Sequence, residues 1–105
     1  MPKPKKSARG KHRWIGFTIE KSYSRTEMER LLEMRLNGSG WRLFDVVGSK
    51  GNTHAILKTP LEEYPKILSQ INNFKDMETL TSSGKIRLVR ERLNSFLGVD
   101  PTDSV

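Results

Sequence analysis

Apolar and polar residues alternate with a period of two over residues 14–20, placing Ile15, Phe17 and Ile19 on one face and Trp14, Gly16, Thr18 and Glu20 on the other. That pattern predicts a half-buried strand. Ser24 then stands three residues before Glu27, with Tyr23 and Met28 flanking them. This is the arrangement of a capping box and a hydrophobic staple. Met28, Leu31, Leu32 and Leu36 follow at helical spacing and make one apolar stripe, which Asn37, Gly38, Ser39 and Gly40 end.

Residues 41–47 and 53–59 read as two strands, joined by Gly48, Ser49, Lys50, Gly51 and Asn52 as a hairpin turn. Asp45 is the polar break in the first of them, expected on a solvated face or at a sheet edge. Thr59, Pro60 and Glu62 carry the signature of a helix start, with threonine as cap and proline at the first position. Leu61, Tyr64, Leu68 and Ile71 would form its stripe, widened by Ile67 and Phe74. Pro65 removes a backbone donor, so the alternative is a helix that begins only near it. Residues 76–81 read as a short fourth strand, with Met77 and Thr79 on one face and Glu78 and Leu80 on the other. A last helix, about 85–96, carries Ile86, Val89, Leu93, Phe96 and Leu97 on its apolar side and Lys85, Arg87, Arg90 and Arg92 on the other.

The order β-α-β-β-α-β-α predicts an α+β, ferredoxin-like split βαβ sandwich with an appended C-terminal helix. Both crossover helices would lie on one sheet face, leaving the other open unless the last helix or a partner covers it. The expected organisation is a basic tail over residues 1–12, one domain over 13–98 and a loose tail over 99–105. At 105 residues, one small core is all the chain can build.

The chain has 19 basic and 12 acidic residues, a net charge of +7. Lys3, Lys5, Lys6, Arg9, Lys11 and Arg13 fall among the first 13 residues with no acid, so the remainder is close to neutral. Basic arms of this kind bind polyphosphate by releasing its condensed counterions. A merely solubilising end is the bland alternative, and an anionic membrane is a weaker rival because the tail has no apolar face. The first residues lack the apolar core of a secretory signal, and no apolar run is long enough to span a bilayer. There is no cysteine. That excludes disulfides, thiolate zinc and a cysteine nucleophile, and fits a cytoplasmic protein.

Enzymatic chemistry finds little support. The histidines are His12, in the tail, and His54, in a strand. No pair of carboxylates has a spacing that marks metal or acid–base work, although Glu20 and Asp45 would come near each other across a sheet. Gly48, Ser49, Lys50 and Gly51 lack phosphate-loop spacing. No catalytic residue, metal or cofactor is expected.

Three basic features point instead to RNA. Lys11 and Arg13 adjoin Trp14, so cations stand beside an aromatic able to stack a base; Trp14 packing under the last helix or in a subunit contact is the alternative. Ser83, Gly84 and Lys85 open a helix whose free N–H groups favour an anion, unless the serine is an ordinary cap. Arg87, Arg90 and Arg92 give that helix a cationic side, or a solvated one.

Through these residues the sequence resembles the archaeal ribonuclease P protein component 2 family. Arg13, Trp14, Ile15, Gly16 and Phe17 are similar to that family's arginine–aromatic–isoleucine–small–phenylalanine opening. Thr79 and Leu80 followed by Ser83, Gly84, Lys85 and Ile86 are similar to its threonine–leucine and serine–glycine–threonine–isoleucine ending, with Lys85 in place of the threonine. The resemblance covers residues 12–97. It implies a non-catalytic subunit of the ribonucleoprotein that removes the 5′ leader of precursor tRNA, with hydrolysis performed by the RNA. It also implies ribonuclease P RNA, precursor tRNA and protein component 3 as partners, and self-association. The basic features and that match together give Lys11, Arg13, Trp14, Ser83, Gly84, Lys85, Arg87 and Arg90 as the expected RNA contacts. The alternatives are a ribosomal or other ribonucleoprotein structural protein, and a small metal-dependent nuclease with Asp45 as its best ligand.

Overall fold

A computed structural model describes residues 11–37 and 40–97. Residues 1–10 of the tail expected over 1–12, which hold most of its charge, and the tail expected over 99–105 fall outside the described residues. The protein is α+β. Strand β1 (His12–Ile19) leads to helix α1 (Arg25–Arg35), the hairpin β2 (Arg42–Ser49) and β3 (Asn52–Pro60), a 3₁₀ turn (Leu61–Glu63), helix α2 (Tyr64–Asn72), strand β4 (Met77–Ser83) and helix α3 (Ile86–Leu97). The four strands form one antiparallel sheet in the order β2-β3-β1-β4. No helix among the described residues is long and apolar enough to cross a membrane.

Local chemistry explains most boundaries. The capping box is complete: the Glu27 amide donates to Ser24 Oγ at 3.2 Å and the Ser24 amide donates to Glu27 Oε1 at 2.9 Å. Lys50 (φ 50°) and Gly51 (φ 84°) make the two-residue turn between the paired Ser49 and Asn52. Two successive positive φ angles match the right-handed twist of a hairpin. Thr59 and Pro60 end β3 rather than start a helix. Helix α2 begins after the 3₁₀ turn, with Pro65 in its first turn, where an amide donor has no helical partner to lose. Its buried line is accordingly Ile67 and Ile71, with Tyr64 and Leu68 half-buried and Leu61 exposed.

The sheet carries a core on each face. On one, Ile15, Phe17, Ile19, Ala55 and Leu57 meet Met28, Leu32 and Leu36 of the α1 segment and Ile67 and Ile71 of α2. On the other, Trp14 and Ile56 meet Val89 and Leu93 of α3, with Phe44, Leu80 and Ile86 packed at the margin. The appended helix therefore covers the second face. Gly16 permits this: a Cβ there would stand 3.0 Å from Val89 Cγ1 and 3.1 Å from Leu93 Cδ2.

Two bulges break the strand alternation. In β2, Leu43 pairs with Leu57 and Val46 with Ala55, so Phe44 and Asp45 together oppose Ile56. In β4, Thr79 pairs with Phe17 and Thr81 with Gly16, leaving Leu80 as the extra residue, packed at the α3 core. A bulge re-aims side chains in this way.

Candidate nucleic-acid interface

The strand pairing gathers the basic residues at the end of the sheet where β1 begins. Arg42 of β2 pairs with Lys58 of β3, Lys58 with Trp14 of β1, and Trp14 with Ser83 of β4. Directly paired residues project to the same face. These four form one row across the sheet on the α3 side, about 14 Å long at ~4.8 Å per strand.

Trp14 is only 8% exposed. Its ring meets Phe44 edge-on at 4.6 Å and His12 at 5.5 Å, and the Lys58 ammonium lies 5.5 Å from its centroid. The expectation of a strand-entrance indole open to a base is therefore corrected. Trp14 packs under α3, and its ring positions a cation instead.

Arg13 projects to the opposite face, where its guanidinium lies 5.8 Å from the centre of the Tyr64 ring. Its Nη1 is 3.5 Å from the position a Cβ on Gly84 would occupy. The strand-entrance and helix-entry motifs thus meet in space. Ser83 Oγ accepts from the Lys85 amide at 3.2 Å, and Tyr64 and Ser82 share a hydroxyl–hydroxyl hydrogen bond of 2.7 Å beneath them. Gly84, Lys85 and Arg87 are exposed, and neither Lys85 nor Arg87 forms an ion pair among the described residues.

Arg90 and Arg92 do something different. Arg90 Nε and Nη2 grip Asp45 at 2.7 and 3.0 Å, and the carboxylate raises the guanidinium's pKa through hydrogen bonding and charge. Arg92 Nη1 donates to Thr81 Oγ1 at 3.0 Å and to the Ser82 carbonyl at 3.2 Å. Both arginines tie α3 to the sheet. Arg90, a candidate RNA contact, gives Nε and Nη2 to Asp45, while its side chain remains about half exposed.

The same pair bears on the nuclease alternative. Asp45 spends both oxygens on Arg90. It stands opposite Ile56, which pairs with Gly16, four residues and about 13 Å along the strand from Glu20. The proximity expected for Glu20 and Asp45 is not found. His54 of β3 is paired with Thr18 and Val47. Its Nδ1 is buried without a hydrogen-bond partner, and desolvation lowers its pKa.

Lys11 lines a groove at the same end of the sheet, together with Arg42 and Lys58. Nothing in the sequence distinguishes Arg42 and Lys58, each an ordinary polar position in a strand. Only the β2–β3–β1 register brings them to the row that holds Trp14. No protein-family model, curated protein or solved structure matches the chain.

Proposed function

We propose that the chain is a non-catalytic RNA-binding protein that holds the phosphate backbone of a folded RNA as a ribonucleoprotein subunit. The observation that carries this reading is the approach of Arg13 to Gly84, between Ser83 and an unpaired Lys85, with an unpaired Arg87 on the same helix. Exposed guanidinium and ammonium groups next to free helix N–H groups suit phosphate oxygens. The strand order β2-β3-β1-β4, with α1 and α2 on one face, supports the ferredoxin-like split βαβ reading of the fold.

Within this class we take the ribonuclease P RNA as the RNA bound, on the resemblance carried by residues 13–17 and 79–86. Precursor tRNA, protein component 3 and a second copy of the chain belong to the same proposal as partners.

The test replaces Arg13, Lys85 and Arg87 with alanine. Binding to ribonuclease P RNA is then followed against salt concentration. Each lost phosphate contact should flatten the slope of log K against log [salt] by about 0.7 to 0.9, or about 2 to 3 for the triple variant. An unchanged slope and affinity would refute the proposed contact surface. Sequencing of RNA co-purified from native cells separates ribonuclease P RNA from ribosomal RNA or another ribonucleoprotein's RNA.

A further inference from the structure

We propose that the groove at the β2–β3 end of the sheet seats one unpaired nucleotide of the bound RNA. Arg42 and Lys58 would take its phosphate, and Pro60 and Leu61 would support its base. The inference rests on the RNA-binding reading and deepens it, because it names the form of RNA that this end of the sheet accepts.

The groove has a volume of about 660 Å³ and is lined by Lys11, Gly40, Arg42, Lys58, Pro60, Leu61 and Glu62, so three cations face one acid. That size falls within the range of small-ligand pockets. Its walls differ in character. Pro60 ends β3 and Leu61 opens the 3₁₀ turn, where it remains 38% exposed. The same groove is lined by three cations, Lys11, Arg42 and Lys58.

Two of those cations are directly paired across neighbouring strands, Arg42 with Lys58. Like charges placed this way destabilise a sheet. Neither forms an ion pair within 4.0 Å among the described residues, Glu62 included. A phosphate between them would convert that repulsion into two charge-assisted hydrogen bonds. The Lys58 ammonium is already held over Trp14, so less side-chain freedom is lost on binding. Gly40 completes the wall. Its φ is +87°, and a Cβ there would lie 3.0 Å from Pro60 Cγ, so glycine lets this loop approach the proline closely.

The first experiment titrates the full chain with adenosine 5′-monophosphate, adenosine and inorganic phosphate, following backbone amides by NMR. The amides of Arg42, Lys58 and Leu61 should shift saturably with the nucleotide, with a Kd of about 1 mM. Adenosine or phosphate alone should not saturate. Absent shifts, or equal shifts from phosphate alone, would overturn the nucleotide seat. Leu61→Ala, at an exposed position that leaves the cores intact, should weaken nucleotide binding about threefold; unaltered binding would count against the seat.

The second experiment compares a blunt RNA duplex with the same duplex carrying a single-stranded overhang. The wild-type chain should prefer the overhang, and the Arg42→Ala/Lys58→Ala variant should lose that preference. If the variant instead weakens both RNAs by the same factor, the seat is refuted while RNA binding stands. If the wild-type chain binds neither RNA, both proposals fall.

Discussion

Gly16→Val should loosen α3 from the sheet while leaving the other core folded. The added Cβ would lie 3.0 Å from Val89 Cγ1, 3.1 Å from Leu93 Cδ2 and 3.2 Å from Leu93 Cγ. Carbon atoms in good contact sit about 3.5–4.0 Å apart, and valine adds two further methyls. Val89 and Leu93 are 0% and 6% exposed, so neither side chain has open space to retreat into. Overpacking of this kind costs about 1–3 kcal/mol. The cost should fall on α3, because Val89 and Leu93 belong to the second core and have no part in the one formed by α1 and α2. Hydrogen exchange measures the local opening directly. Amides of α3 should exchange about 5- to 150-fold faster, whereas those of β1 paired with β3 should change much less. Unchanged α3 exchange would refute the packing argument. An equal acceleration across all elements would refute the independence of the two cores.

Arg35→Ala should lower the urea midpoint by the equivalent of about 1 kcal/mol with an unchanged m value. It removes the two-pronged pair with Asp76 (2.9 and 3.2 Å) and a guanidinium 4.4 Å from the Phe74 ring centre, and an unaltered midpoint would show both contacts to be worthless. His54 contributes a pH dependence. Burial lowers its folded pKa below the ordinary histidine value of 6.5, so the unfolded chain takes up the proton first. Nothing is lost above about pH 6.5, and stability declines as pH falls below it until the folded value is reached. His54→Val removes this term, so its stability advantage over wild type should be larger at pH 5.5 than at pH 7.5. Parallel pH profiles would exclude the effect.

The elements were legible where their signals are local. Ser24 and Glu27 announce α1, and Lys50-Gly51 announces the hairpin. The stripe of Ile86, Val89 and Leu93 announces α3. The start of α2 was ambiguous for a definite reason. Thr59-Pro60 and Pro65 are competing start signals, and β3 retained the first because Thr59 is fully buried in the sheet. The bulges were not legible. Counting by twos places Phe44 and Asp45 on opposite faces, whereas in the sheet both oppose Ile56. A single inserted residue reverses every facing read beyond it.

The interface follows the same division. Its two motifs, at residues 13–14 and 83–85, were visible separately, but their meeting depends on Trp14 pairing with Ser83. Arg42 and Lys58 became neighbours only through the register of β2 on β3. Trp14 is where pattern and packing diverged most. An indole beside cations suits base stacking, but an apolar helix folded over the same face competes for that ring, and α3 won. Burial does not remove Trp14 from the construction of the proposed binding surface. It keeps Lys58 over the indole and sets the sheet end beside the start of α3, where Lys85 and Arg87 project. On the proposed RNA-binding reading, docking of α3 and affinity for phosphate are linked: a change that lifts the helix, such as Gly16→Val, should expose the indole, free Lys58 from its place and weaken RNA binding without deleting a single cation.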